Sequence, residues 1–177
     1  DIKITTIFEG TSEIQRNIIA MFRMRDTVRS KGGRYRALAE RLDKMPDSCG
    51  ARILAPAVRV LNDIILKARA AKLTRSQHVN FLLADMMTWV EVAEAFCEKV
   101  AGVEPGPRGK AFMEAAARTF AREAVEKVYT HGLKIACGCV AAMAETARML
   151  ESVRIGDSLC GYLDDMDILA KELSQQD

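Results

Sequence analysis

ILAPAVRVLNDIILKARA, residues 53–70, decides the fold class. Leu54, Val58, Leu61, Ile65 and Ala68 recur at intervals of four and three. That spacing lays side chains along one face of an α-helix and gives the chain an apolar stripe to bury. Pro56 has no N–H to donate, so it must lie in the first turn of this helix or kink it.

The helical period continues outward on both sides. Downstream, Ser76 stands where an N-cap belongs and precedes a second stripe of Leu82, Met86, Val90, Ala93, Cys97 and Val100. GVEPGPRG, residues 102–109, is the clearest break in the chain. Phe112, Ala116, Phe120 and Ala124 then share one face of a long helix. Gly132 and Gly138 are expected to weaken or bend it before it resumes through VAAMAETARMLES, residues 140–152. A last helix carries Leu159, Leu163, Met166 and Leu169. Upstream, RYRALAERLDKM (34–45) forms a short helix ending before Pro46, and IQRNIIAMFRMRDTVRS (14–30) a longer one that stops at Gly32-Gly33. Thr11 or Ser12 caps that first helix, and Ser12 with Gln15 fits the capping-box pattern. IKITTIF (2–8) is β-branched and could be extended, but a lone strand has nothing to pair with. Long helices joined by short loops predict an all-α fold, an antiparallel bundle of five to six helices. Leu61, Ile65, Met86, Val90, Phe112 and Phe120 are expected on its buried faces.

Composition agrees and excludes several functions. The chain has 177 residues, 49% apolar and 28% charged, the balance of a water-soluble globular domain. A net charge of +2 argues against nucleic acid as a partner, since phosphate backbones call for a concentrated basic surface. The longest apolar run, IACGCVAAMA, has ten residues, short of the roughly 18 a membrane span needs. Five cysteines, an odd number, do not suit a disulfide framework. A reducing compartment is expected, the cytoplasm first and the mitochondrial matrix as the alternative.

Chemistry concentrates at the start of the first helix. Glu9 follows Phe8 at the end of an apolar run, a setting that removes water from the carboxylate and raises its pKa. A raised carboxylate serves as a general base near neutral pH. Gly10 lets a substrate or cofactor approach the backbone. Thr11, Ser12 and Glu13 occupy a first helical turn, whose free N–H groups and dipole attract phosphate.

FEGTSEIQRNIIA, residues 8–20, resembles the motif near the end of the acyl-CoA dehydrogenases, flavin enzymes that oxidise acyl thioesters at Cα–Cβ. The resemblance implies that Glu9 is the catalytic base, that Gly10 lies against the acyl-CoA, and that Thr11, Ser12 and Glu13 touch FAD. Gln15 and Arg16 match the family's usual pair, whereas Met21 stands where many members carry arginine. The motif covers only about the last twenty residues of the usual family fold. KAFMEAAAR and GYLDDMDILAKEL are similar in character to the helical C-terminal extensions of long members. The resemblance thus implies two parts: residues 1–30 end a catalytic domain, and 31–177 form a helical extension. It further implies an electron-transfer acceptor as partner, a homo-oligomer, and an isolated chain that neither retains FAD nor turns over acyl-CoA.

Other candidates are weaker. Cys137 and Cys139 point to nearly opposite sides of a helix, poor geometry for one metal, and no metal site is expected. His78 and His131 are the only histidines, with His131 placed at the presumed bend as a structural or capping residue. Trp89 and the methionines read as core. Asp164, Asp165 and Asp167 suit the dipole at the start of the last helix. Arg52, Arg59, Lys67, Arg69 and Lys72 flank the stripe of the third helix, the pattern of a solvated bundle face or, secondarily, of peripheral membrane contact.

Overall fold

The computed structural model describes residues 10–102, 108–138 and 144–174, and among them every regular element is helical. In chain order they are α1 (Ser12–Arg29), α2 (Gly33–Leu42), α3 (Ala51–Ala70), α4 (Gln77–Gly102), α5 (Gly109–Gly138), α6 (Ala144–Glu151), α7 (Ile155–Ser158) and α8 (Tyr162–Ser174). Short 3-10 turns at Asp47–Cys49 and Leu73–Arg75 precede α3 and α4. Six of these helices have ten or more residues, and α6 and α7 are short additions. The fold is the all-α bundle that the periodicity predicts.

Contacts fix the directions. Gly32 lies against Asn62 and Leu66 while Asp43 pairs with Arg59, so α2 and α3 run antiparallel. Trp89 stacks on Phe120 with ring centroids 5.0 Å apart, and Phe96 meets Phe120 edge-on at 6.2 Å. Lys127 lies 5.6 Å over the Trp89 ring, so α4 and α5 are antiparallel too. Gly50 abuts Ala117, Arg118 and Ala121, and Ile64 abuts Gly132, which makes α3 parallel to α5. α1 packs against α4 and α3, and α8 against α5.

The stripe that decided the fold class is the centre of the core. Leu54, Val58, Leu61, Ile65 and Ala68 are all buried, as are Met86 and Val90 of α4. Full burial of each such leucine, isoleucine or methionine contributes about 1.5–3 kcal/mol. The two phenylalanines differ from expectation. Phe120 is partly buried between Trp89 and Phe96, and Phe112 is half-buried beneath the Arg108 guanidinium. The inner face of α5 is instead Ala117, Ala121, Ala124, Val125 and Val128. These small side chains let α5 approach α3 closely, and the rings are left to the flank.

Other local expectations are refined. Thr11, with extended backbone, is the N-cap of α1, and Ser12 is already helical, so the capping box is not formed. Ser76 does cap α4, accepting from the Val79 N–H at 3.5 Å. Pro56 lies inside α3 rather than in its first turn. Gly132 does not interrupt α5, which runs through it without a break. Its role is close approach: a Cβ there would stand 2.8 Å from Leu150 and 2.9 Å from Ile64. The stripe expected to bury the last helix does so only at Leu169, which is half-buried. Leu163 is 75% exposed, Leu159, Met166 and Leu173 are also exposed, and the buried residue is Asp165. Two of the basic residues flanking the stripe of α3 are paired at the surface, Arg52 with Asp47 and Arg59 with Asp43. Among the described residues no helix is long and apolar enough to cross a membrane.

Gly50 is a sensitive position. Its φ of +84° is left-handed, and a Cβ there would meet the Arg118 Cα at 3.0 Å and the Ala117 carbonyl at 3.1 Å. Those atoms are backbone and cannot swing away. The left-handed penalty of about 1–2 kcal/mol adds to overpacking of at least about 1 kcal/mol. Gly50→Ala is therefore expected to lower stability by about 2–3 kcal/mol, read as a lower urea midpoint at unchanged slope. A midpoint within about 0.5 kcal/mol of the parent's would show that α3 and α5 are not packed this tightly.

Candidate functional site

Gly10 opens the site. Its φ of +110° requires glycine, and it turns the chain into α1. The Gln15 side-chain amide donates back to the Gly10 carbonyl at 3.3 Å, and the Gln15 N–H donates to the Thr11 carbonyl at 3.0 Å. Thr11 is exposed and caps no backbone N–H with its side chain. The exposed Glu13 carboxylate takes its own backbone N–H and the Thr11 hydroxyl, and these bonds hold its pKa below the ordinary value. Gly10, Thr11, Ser12 and Glu13 are thus gathered at one helix start. Glu9 lies outside the described residues, as does Cys139.

This arrangement bears on an anionic or flavin-like group. The half-buried Ser12 hydroxyl and the backbone donors of this first turn fit its polar edge, while the Thr11 hydroxyl is already engaged by Glu13. Glu13 fits less well, because its carboxylate already engages its own N–H and brings a negative charge beside any phosphate. The outer face of α1 is apolar, with Ile14 52%, Ile18 47% and Met21 55% exposed, and Phe22 exposed beside them. Patches of this kind mark surfaces that meet other molecules or other parts of the same one.

Behind α1 stands a charge cluster that periodicity did not reveal. Arg16 donates to Asp85 at 2.7 Å, tying α1 to α4. Glu91 of α4 accepts from Arg23 at 3.0 Å, Arg34 at 3.1 Å and the Tyr35 hydroxyl at 2.9 Å. Burial, with Glu91 adding to it, pushes the Tyr35 hydroxyl well above its ordinary pKa, so it stays a donor. One carboxylate thereby joins three helices and fixes how α1 sits.

A second cluster closes the far side of α5. Asp165 accepts from Arg118 and from Arg122, the latter at 2.6 Å. Arg122 also donates to the Ser158 and Cys160 carbonyls at 3.0 and 2.7 Å, and Arg118 to the Ser48 carbonyl at 2.8 Å. The clue was Arg-x-x-x-Arg on an alanine-rich helix, which puts two cations on one face.

The remaining candidates are inert. Burial pushes the Cys97 thiol up to about 12, with Cys49 beside it, and the Cys49 thiol donates to the Pro46 carbonyl at 3.0 Å. The Cys97 thiol therefore stays protonated at neutral pH. Cys137 is exposed at the end of α5. Burial lowers the His131 pKa, and its ring bonds the Leu82 carbonyl, which is a structural role between α5 and α4. Among the described residues no group of histidine, cysteine, aspartate or glutamate could hold a metal ion. No protein-family model matches the chain, and no curated protein or solved structure matches it either.

Proposed function

We propose that the chain is the C-terminal part of a flavin-dependent acyl-CoA dehydrogenase. Its helical extension follows the end of the catalytic domain, with the division near residue 30. The observation that carries this reading is the run FEGTSEIQR at 8–16, in which Glu9 precedes a glycine turn and a helix start. Glu9 takes the α-proton of the acyl thioester, and the β-hydrogen leaves as hydride to FAD, giving the 2-enoyl-CoA. Gly10 admits the thioester to the backbone, and Thr11 and Ser12 hold the flavin's polar edge. The apolar outer face of α1, at Ile14, Ile18 and Phe22, supports the reading as the surface that meets the rest of the catalytic domain. Alone, the chain supplies one wall of the site and is expected to be inactive and free of FAD. In the parent, electrons pass on to an electron-transfer acceptor.

A second reading is a helical module for oligomerisation or peripheral membrane docking without catalysis. The exposed apolar side chains of α1 and α8 favour it. The coding sequence immediately upstream of Asp1 separates the two. A flavin- and thioester-binding body there upholds the dehydrogenase, and an unrelated domain removes it.

A further inference from the structure

A cleft of about 580 Å³ lies between the second half of α1, the turn at Leu73–Arg75 and the start of α4. Arg25, Arg29 and Arg69 line it from α1 and α3. Arg29 and Arg69 have no acidic partner among the described residues, and Arg25 has only Asp26, at 3.9 Å on the same helix. Arg25 is held instead over the Phe22 ring at 4.9 Å. Lys72 and Arg75 stand beside the cleft in sequence, also without acidic partners among the described residues. Seven other arginines, Arg16, Arg23, Arg34, Arg41, Arg59, Arg118 and Arg122, meet carboxylates. At this corner three guanidiniums share one cleft with no carboxylate lining it.

The lining is not only basic. Met24 and Val28 supply an apolar floor, and Thr74 and Asn80 supply polar groups. Asn80 donates through its amide nitrogen to the Thr74 carbonyl at 3.1 Å. Its side-chain oxygen is shielded from solvent and has no donor in the protein.

We propose that this cleft binds a small molecule carrying a phosphate or diphosphate, with Arg29 and Arg69 on its oxygens and an apolar or flat group on Met24 and Val28. Guanidinium forks match phosphate oxygens bidentately. A carboxylate brings one negative charge, too few for three clustered guanidiniums, whereas a diphosphate brings two or more. This site is separate from the start of α1 and does not depend on the dehydrogenase reading.

The same phosphate chemistry is found in a free metabolite and in a lipid headgroup, and the experiment distinguishes them. Pyrophosphate and ADP are titrated calorimetrically into the chain at about 0.15 M salt, where surface attraction is screened beyond about 8 Å. One saturable site per chain is expected, with ADP tighter than pyrophosphate. Each lost charge-assisted bond weakens binding by about tenfold or more. Arg29→Gln and Arg69→Gln should each do so, and both positions are exposed, so the variants should melt with the parent. Lys171→Gln, on exposed α8 surface, should change nothing. Absence of saturable binding, or equal weakening by Lys171→Gln, overturns the site. Arg29-dependent sedimentation with anionic phospholipid vesicles, without binding of either soluble probe, assigns the corner to a lipid headgroup and overturns the soluble ligand.

Discussion

Asp165→Ala is expected to lower stability by about 3–5 kcal/mol, because it leaves buried arginine charge without its carboxylate. Arg122 is only 3% exposed and cannot turn to water. Its bonds to the Ser158 and Cys160 carbonyls remain but do not neutralise it. For a chain of this size each kcal/mol lowers Tm by about 2–4 °C, so a drop of about 6–20 °C is expected. The loss should begin locally. Leu163, Met166 and Leu173 face outward and Tyr162, Ile168 and Leu169 are only half-buried, so the charge cluster is the one fully buried tie between α8 and α5 among the described residues. Its amides should lose hydrogen-exchange protection first, while those of α3 and α5 keep theirs. The pH dependence has a definite sign. Burial alone would raise the Asp165 pKa, but the bonds from Arg118 and Arg122 more than offset this, and the folded pKa lies below the ordinary value of 3.8. A depressed carboxylate contributes stability above its unfolded pKa and loses it as pH falls through the folded one. Asp165→Asn should therefore flatten the acid limb of stability below about pH 4. An Asp165→Ala variant melting within about 1 kcal/mol of the parent would show that something else holds α8.

The same residue shows why the sequence reads well in some places and badly in others. Period alone located the long helices, because Leu54 to Ala68 and Leu82 to Cys97 each bury one unbroken stripe. Helix ends were legible where a single residue has a single physical role, as at Gly32, whose left-handed φ of +81° follows α1. α8 defeated the same logic. Leu159, Leu163, Met166 and Leu169 recur at helical spacing, yet only Leu169 turns partly inward, and the fully buried residue is Asp165, whose partners lie 47 and 43 residues away on α5. No local pattern encodes that pairing, because it depends on how the chain turns back between α6 and α8. Gly132 misled for a related reason. Glycine weakens a helix in isolation, but here it admits Leu150 and Ile64 against the backbone, and that contact exists only once three helices have met. The start of α1 was legible as a glycine turn and helix N-terminus. What the sequence did not disclose there is that Glu13 turns onto its own N–H. The Glu91 cluster was equally hidden, since its three partners come from α1 and α2.

Glu9→Gln, made in the full-length dehydrogenase proposed for this chain, is expected to slow flavin reduction by about 10²–10⁴-fold, the usual contribution of a positioned general base. That corresponds to about 3–5 kcal/mol of barrier. The amide keeps the size and hydrogen-bonding shape of the carboxylate but has no basic oxygen to take the α-proton. Binding should survive, because the proposed contacts of the thioester with the Gly10 backbone and of the flavin with donors at Thr11 and Ser12 are unchanged. The variant should therefore purify yellow, bind acyl-CoA near the parent's affinity, and fail to bleach when the two are mixed rapidly. The distinction between lost chemistry and lost binding matters, since a misplaced α1 would weaken both together. Arg16→Ala serves as that comparison. It removes the 2.7 Å tie to Asp85 and should loosen the seating of α1, weakening retention of FAD while leaving the base in place. Flavin reduction by Glu9→Gln at the parent's rate would remove Glu9 from catalysis and place the base on another segment of the parent enzyme.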